Sequence, residues 1–524
     1  MPEKKKAAPI EATVTPAVTA EKKSKKPATP KPAGVQMTPI RDGAGAPEKK
    51  RVLFVASEAQ PFSATGGLGD VIGSLPRAVT QASPDEYDVR VIIPYYPLAV
   101  ADKFKADMHY VGCVTVHLSW RSQYCGVFSL AKDGVTYYFI DNEYYFKRST
   151  LYGYFDDGER FAFFSKAALD ILPLLDFFPH ILHAHDWQTA LVPVYYKLYY
   201  QYQHRYGGMK TIFTIHNIEY QGKFPKTAME DLLGIPFLEY PSLEYEGCIN
   251  LMKAALDYAD VVSTVSPTYA QEILSSAYAH GLAPVLHRNS HKLIGILNGI
   301  DTVAHNPEDD RGLFAAFSAS DLSGKATNKR ELQKLLGLPQ DPDVPMLAVV
   351  SRLVAHKGID LLKAICPAIL REDVQLVVLG KGDAEFEAYF AQAGRECRKV
   401  AAVIAYNADM AHKIYAAADI FLMPSKSEPC GLAQMIASRY GALPVVRETG
   451  GLLDSIHDCG DDGGHGNGVT FRIYSPEDCY NAVRRALALY GNKEAWARLV
   501  PHVMGIDFSW DASARAYIAL YDRL

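Results

Sequence analysis

The 524-residue chain has no Cys-x-x-Cys pair, and its eight cysteines (113, 125, 248, 366, 397, 430, 459 and 479) are too scattered to form a dense framework. That spacing excludes a small disulfide scaffold and fits reduced thiols in a cytosolic protein. No apolar run approaches the roughly 20 residues needed to span a bilayer, so no membrane segment is predicted. The first fifty residues have almost no large apolar side chains and no apolar run that could be the core of a secretion signal; they are also poorer in Arg and Ser than a transit peptide. They hold instead 11 Lys and Arg against 5 Asp and Glu, with proline-rich stretches such as Pro27-Ala-Thr-Pro-Lys-Pro-Ala33. Such a segment cannot bury enough surface to offset its chain entropy. Residues 1–50 therefore read as a disordered tail, either solubilising or in weak contact with an acidic partner. The remainder is short of positive charge, with 43 Lys and Arg against 54 Asp and Glu, which argues against a nucleic-acid surface.

What the chain does have is length, an ordinary hydrophobic share of 48 %, and short apolar runs alternating with helical patterns. That length exceeds what one core usually serves, so two or three domains are expected. Strands are expected over 51–57, 89–94, 136–140, 180–185, 210–215 and 261–265, then over 293–297, 346–351, 374–379, 400–405, 420–424 and 443–446. Several are continuously apolar, as parallel strands covered on both faces are. With helical stretches between them, such as 360–370 and 410–418, they make an α/β class with right-handed crossovers. Loop chemistry at Asn298-Gly-Ile-Asp301 and Asn306-Pro-Glu-Asp-Asp310 marks a boundary. The division is a tail (1–50), a first domain (51–298), a second (299–505) and a final amphipathic helix (506–524) packing back on the first. Pro76 is expected to kink or break the helix around it.

The tetrapeptide Thr-Gly-Gly-Leu occurs twice, at Thr65–Leu68 and Thr449–Leu452, each time after a strand-like run and before a helical pattern. A glycine pair at such a turn lets a ligand approach the backbone and aims N–H groups at an anion. Two copies suggest two doubly wound domains facing one cleft, which suits a diphosphate; the plain alternative is that each turn is structural. Near the end of one strand His183 and His185 share a face, and Thr214-Ile-His-Asn217 ends another. The two histidines could ligate a metal, lie satisfied in the core, or reach the cleft, and the last reading suits sugar hydroxyls. In Ser351-Arg-Leu-Val-Ala-His-Lys-Gly358, Arg352 and Lys357 straddle a strand-to-helix turn. Together they would offer a bidentate fork and a point charge to one diphosphate, or be two surface cations. In Ser425-Lys-Ser-Glu-Pro-Cys-Gly-Leu-Ala433, Glu428 could accept from a sugar while the N–H groups of Gly431, Leu432 and Ala433 receive a phosphate. The alternative is a simple acid at a helix start.

These segments, with Ser57-Glu58, His183-Ala-His-Asp-Trp187, Tyr220-Gln-Gly222, Gly295-Ile-Leu-Asn-Gly-Ile-Asp301, Arg447-Glu-Thr-Gly-Gly-Leu452 and Asp507-Phe-Ser-Trp510, resemble bacterial glycogen synthases and plant starch synthases. Those are retaining glycosyltransferases of family 5 with the two-domain GT-B fold, and the resemblance spans roughly residues 51–524. It implies two Rossmann-like domains around a central cleft. It also implies transfer of glucose from ADP-glucose to the non-reducing end of an α-1,4-glucan, in the cytoplasm, without a metal or other cofactor. By position, Arg352 and Lys357 would hold the diphosphate, with Thr65, Gly66, Gly67 and Asp70 facing it from the other domain. Asp157 and His185 would position the donor glucose, Asn250 would help to bind it, and Glu428 would contact its hydroxyls. Tyr406 would lie beside the adenine, and Cys430, Gly431, Leu432 and Ala433 would complete the donor site. Two departures stand out. Ala64 takes the place of the family's lysine, which opens a UDP-glucose preference or a weakened, glucan-binding paralogue as alternatives. Ala279-His-Gly-Leu282 replaces an acidic turn. Oligomeric state is not set by any of these features.

Overall fold

The computed structural model describes residues 48–524, so the tail expected over 1–50 lies outside the described residues except for its last three. Lys50 already begins the first strand. A nine-stranded sheet runs, in spatial order, Leu293–Gly295, Val261–Thr264, Lys210–Ile215, Ile181–His185, Lys50–Val55, Tyr87–Pro94, Val135–Asp141, Arg121–Lys132 and His109–Leu118. The first seven are parallel, and Arg121–Lys132 joins Val135–Asp141 and His109–Leu118 in antiparallel register. A second sheet of six strands runs Val400–Val403, Gln375–Leu379, Met346–Val350, Ile420–Met423, Leu443–Arg447 and Val469–Phe471, all parallel. Successive strand residues feed opposite faces. Leu53 and Val55 belong to one core cluster while Val52 and Phe54 belong to another. Met346 and Ala348 likewise face away from Leu347 and Val349. Apolar residues on both faces of one strand are what a sheet sandwiched between helices requires.

All twelve expected strands are present, and Leu293–Gly295 pairs into the first sheet beside Val261–Thr264. The hairpin of His109–Leu118 and Arg121–Lys132 was not expected. Its turn is Ser119-Trp120, with Ser119 at φ 55°, so the left-handed residue is not the glycine or asparagine that marks most tight hairpins. Of the kink or break expected at Pro76, the break is corrected: one helix runs from Gly67 to Ala82 with the proline inside it. The final helix, Trp510–Asp522, lies on the first sheet's second face, where Trp510, Tyr517 and Tyr521 join the cluster of Phe54 and Leu68. Tyr521 Oη meets His183 Nδ1 at 3.0 Å, and Lys50 donates to the Tyr521 carbonyl. Among the described residues no helix is long and apolar enough to cross a membrane.

In each sheet strand order reverses about one pair: Lys50–Val55 with Ile181–His185 in the first, Met346–Val350 with Ile420–Met423 in the second. In open parallel sheets the crevice outside the carboxyl ends of such a pair is where ligands bind.

Candidate active site

In the first sheet that crevice is lined by the segments after Val55 and His185. The chain leaves Val55 through Ser57 and Glu58 and returns as Thr65-Gly66-Gly67 at the start of the helix Gly67–Ala82. Glu58, 2 % exposed, holds this loop from beneath. Its Oε2 accepts from Thr65 N and Oγ1, both at 2.8 Å, and its Oε1 accepts from Gly69 N at 3.1 Å. Burial raises the Glu58 pKa, opposed by these hydrogen bonds from Thr65 and Gly69. Asp70, in the helix's first turn, is pushed up to about 6 by burial and by the Glu58 charge. Gly66 and Gly67 are exposed, and a Cβ added to either would meet nothing within 4 Å. The first Thr-Gly-Gly-Leu therefore presents open backbone to the crevice.

The second copy does not, and here the expectation of a matching anion turn is corrected. A Cβ on Gly450 would stand 2.0 Å from the Glu428 carbonyl oxygen, and one on Gly451 2.2 Å from that of Cys430. The glycines are there so that Thr449–Leu452 can pack under the Glu428-Pro429-Cys430 loop. Its turn is already capped: Glu272, from the first sheet's side, accepts from Thr449 Oγ1 at 2.9 Å and Gly450 N at 3.1 Å. Asp454 answers in the other direction, accepting from Thr268 N at 3.0 Å and Thr268 Oγ1 at 2.6 Å. The second copy joins the two halves of the molecule.

His183 and His185 do share a face, with ring centroids 4.2 Å apart. Both are fully buried. His183 is satisfied by Tyr521 Oη and, at 2.6 Å, by Thr214 Oγ1, which makes it a core histidine; burial and then His216 bring its pKa down to about 3. His185 Nδ1 lies 3.0 Å from His216 Nε2, while its own Nε2 is buried and has no hydrogen-bond partner. Burial, then His183 and His216, hold His185 well below the ordinary histidine range, so it is neutral. Among the described residues no group of three or more His, Cys, Asp or Glu could hold a metal ion.

Asp186, which sequence reasoning passed over, follows directly. It adopts φ 56° and ψ 178°, a region glycine favours, and its Oδ1 accepts from His216 N at 2.8 Å. Burial raises its pKa to about 7. A non-glycine residue held in that conformation, tying two strand ends together at the crevice, was the signal that local pattern could not supply.

Asp157 and Asn250 are both committed to protein contacts. Asp157 accepts from Gly153 N at 2.8 Å and from Arg160. Its neighbour Asp156 accepts from Arg148 at 2.8 Å through one oxygen and keeps the other, Oδ1, buried without a partner. Asn250 caps the helix Leu251–Tyr258, accepting from Lys253 N at 3.0 Å and donating to Gln221 Oε1 at 2.8 Å.

In the second sheet the crevice is lined by the turns after Val350 and Met423, and it brings the remaining residues together. Lys357 Nζ lies 2.6 Å from Glu428 Oε2, to which Ser425 Oγ also donates at 3.0 Å. Glu428 is 5 % exposed, whereas Arg352 is exposed and touches His356 Nε2 at 3.3 Å. Gly358 adopts φ 76°, and a Cβ there would strike the Pro424 carbonyl at 2.1 Å, so the turn carrying Lys357 can close onto the Glu428 loop. Cys430 is buried, its thiol pushed up to about 12 by that burial. Gly431 at φ 73° turns the chain into Leu432 and the helix Ala433–Arg439, where Gln434 Nε2 donates to the Cys430 and Gly431 carbonyls at 3.2 and 3.0 Å. Tyr406 is 90 % exposed just beyond the strand Val400–Val403.

The two crevices face one another. Glu219, from the first sheet's side, acts electrostatically on His356, and Asp70 acts on Tyr415 of the second. Open backbone on one wall and a lysine and an arginine on the other, between two largely parallel sheets, fit a two-domain glycosyltransferase of the GT-B type. The family described as Starch synthase catalytic domain matches residues 51–288, and that described as Glycosyl transferases group 1 matches residues 333–499. The glycogen synthase of Geobacillus thermodenitrificans is 45 % identical over 90 % of this chain and 98 % of its own. That of Bacillus cereus strain B4264 is 44 % identical over 90 % and 99 %. The catalytic domain of starch synthase IV from Arabidopsis thaliana, solved bound to ADP and acarbose, superposes with a TM-score of 0.83 at 36 % identity, over 91 % of this chain and 99 % of that one. The chain belongs to the glycogen synthase family, and it is a glucosyl-transferring enzyme.

Proposed function

We infer that the donor is ADP-glucose and that the enzyme lengthens α-1,4-glucan at its non-reducing end with retention, in the cytoplasm. The observation that carries this reading is the pairing of open backbone at Gly66 and Gly67 with Arg352 and Lys357 across the cleft. The diphosphate would lie between them, held by the arginine fork and the lysine charge. In the resting structure Glu428 neutralises Lys357; an arriving diphosphate would draw the lysine off and leave Glu428 to accept from the glucose hydroxyls. His185 Nε2 and Asp156 Oδ1 are buried polar atoms of the first half that lack a partner, and a sugar hydroxyl would satisfy such atoms. Tyr406 would stack beside the adenine. Catalysis then consists of positioning and of stabilising charge on the departing ADP, with cationic side chains in the place a metal takes elsewhere. Closure of the halves would exclude water from the activated sugar. The ADP bound to the starch synthase IV structure supports adenine over uracil.

Labelled ADP-glucose offered with glycogen should yield longer chains, with UDP-glucose a poor competitor. Equal competition would overturn the donor assignment. Absence of incorporation that Ala64→Lys restores would establish the weakened-paralogue alternative instead.

A further inference from the structure

Lys357 and Arg352 differ in how they are held. Lys357 is fixed by the Glu428 carboxylate, itself steadied by Ser425. The Arg352 side chain has one hydrogen-bond partner among the described residues, His356, at 3.3 Å from Nη2 to Nε2. The backbone around that histidine is pinned: the His356 carbonyl accepts from Lys426 N at 2.9 Å, and the Ala355 carbonyl accepts from Tyr474 Oη at 3.2 Å. Lys426 begins the loop that carries Glu428, so this turn stands in fixed relation to the rest of the cluster.

The geometry points to His356 as the positioning residue of the diphosphate clamp, its neutral imidazole accepting at Nε2 from the Arg352 guanidinium and so aiming that side chain at the donor. This rests on the reading of Arg352 as a diphosphate ligand. Guanidinium can only donate, so Nε2 must be unprotonated and the ring proton must sit on Nδ1. Four charged groups face the ring. Burial is the main influence on it and, with Lys357 and Arg352, disfavours protonation, while Glu219 and Glu428 oppose them; the net effect is a pKa below the ordinary histidine value. Protonated, the ring would offer two donors to a third donor, and Arg352 would swing away. Glu219, on the opposite wall, is the carboxylate such an imidazolium would turn toward.

The test measures ADP-glucose kinetics from pH 5 to 8.5 for wild type, His356→Ala, His356→Gln and Arg352→Ala, with melting temperatures for each. Misaiming a charged ligand costs about tenfold, so His356→Ala should raise the donor KM by that factor with a smaller change in kcat. His356→Gln should recover most of it, because its amide oxygen accepts from Arg352, and should lack the wild-type acid limb in kcat/KM. Equal losses in the alanine and glutamine variants, tracking a lower melting temperature, would mark a merely structural side chain and overturn the inference. So would an inactive Arg352→Ala beside a wild-type donor KM in His356→Ala. A wild-type KM in Arg352→Ala would sink the clamp reading, and the inference with it.

Discussion

Replacing Lys357 by alanine separates what the Lys357–Glu428 pair does for the fold from what it does for the reaction. The nitrogen is 2.6 Å from the carboxylate, and the two side chains are 17 % and 6 % exposed. Removing the lysine leaves Glu428 charged, buried and supported only by Ser425 at 3.0 Å. Orphaning one member of a fully buried pair costs about 3–5 kcal/mol, and the partial exposure of Lys357 brings this to about 2–3 kcal/mol. In a domain of this size that lowers the melting temperature by about 5–10 °C. Adding Glu428→Gln removes the stranded charge, so the double variant should regain most of that loss, with a coupling energy of about 2 kcal/mol. Activity should not return, because the double variant lacks both the cation for the diphosphate and the carboxylate for the sugar. Calorimetry and transfer from ADP-glucose are run on the same four proteins. A Lys357→Ala protein melting within about 1 °C of wild type, or a double variant melting as low as the single, would refute the reasoning.

The two glycine turns should respond oppositely to alanine. Gly66→Ala should fold like wild type, since its φ of −171° suits any residue and its Cβ meets nothing, yet weaken donor binding; Gly450→Ala should lower the melting temperature by several degrees, because φ 44° and a backbone oxygen at 2.0 Å both oppose it. Comparable melting temperatures for the two would refute the assignment. The buried histidines should make the fold acid-sensitive: His183 and His216 have folded pKa values of about 3 against an ordinary 6.5, so the unfolded chain takes up the proton first and stability falls as pH drops below 6.5. Asp186 and Asp70, raised to about 7 and about 6, pull the other way over part of that window, so the clean measurement is a difference. His183→Asn should reduce the loss between pH 7 and 5 by about 2 kcal/mol in chemical denaturation, and equal losses in variant and wild type would refute this.

Twelve of the parallel strands, all but the three-residue edge strand Val469–Phe471, were legible because each is short, apolar on both faces and bounded by turn residues, as Met346–Val350 and Gln375–Leu379 show. The hairpin of His109–Leu118 and Arg121–Lys132 was not. Its burial is uneven along both strands, and its turn uses serine where glycine or asparagine would have given it away. At the site, Arg352, Lys357 and Glu428 stood out because they follow continuous apolar strands, and the structure brings Lys357 and Glu428 together. What spacing could not distinguish was which of two identical tetrapeptides keeps its backbone open. That depends on Glu428 and Cys430 carbonyls lying over Gly450 and Gly451, contacts between segments about twenty residues apart that no local pattern encodes. The choice between Asp156 and Asp157 depends likewise on Arg160 claiming the second of the two.

The carboxylates at the two turns explain why one motif serves two purposes. Glu58 approaches the first turn from inside its own domain and takes Thr65 and Gly69, which leaves Gly66 and Gly67 outward and open. Glu272 approaches the second from the opposite domain and takes Thr449 and Gly450 themselves. An internal carboxylate shapes the first loop and leaves its glycines open, whereas in the second a carboxylate occupies the turn itself. Because Glu272 reaches across the cleft, any closure of the halves must either preserve that contact as a pivot or break it. With Asp454 gripping Thr268 beside it, and a backbone bridge between Ile300 and Ser509 where the chain recrosses, the contact reads as a pivot. Motion about it would carry Arg352, Lys357 and the Glu428 loop toward Gly66 together, since Lys357 is bonded to Glu428 and the His356 carbonyl to Lys426 N.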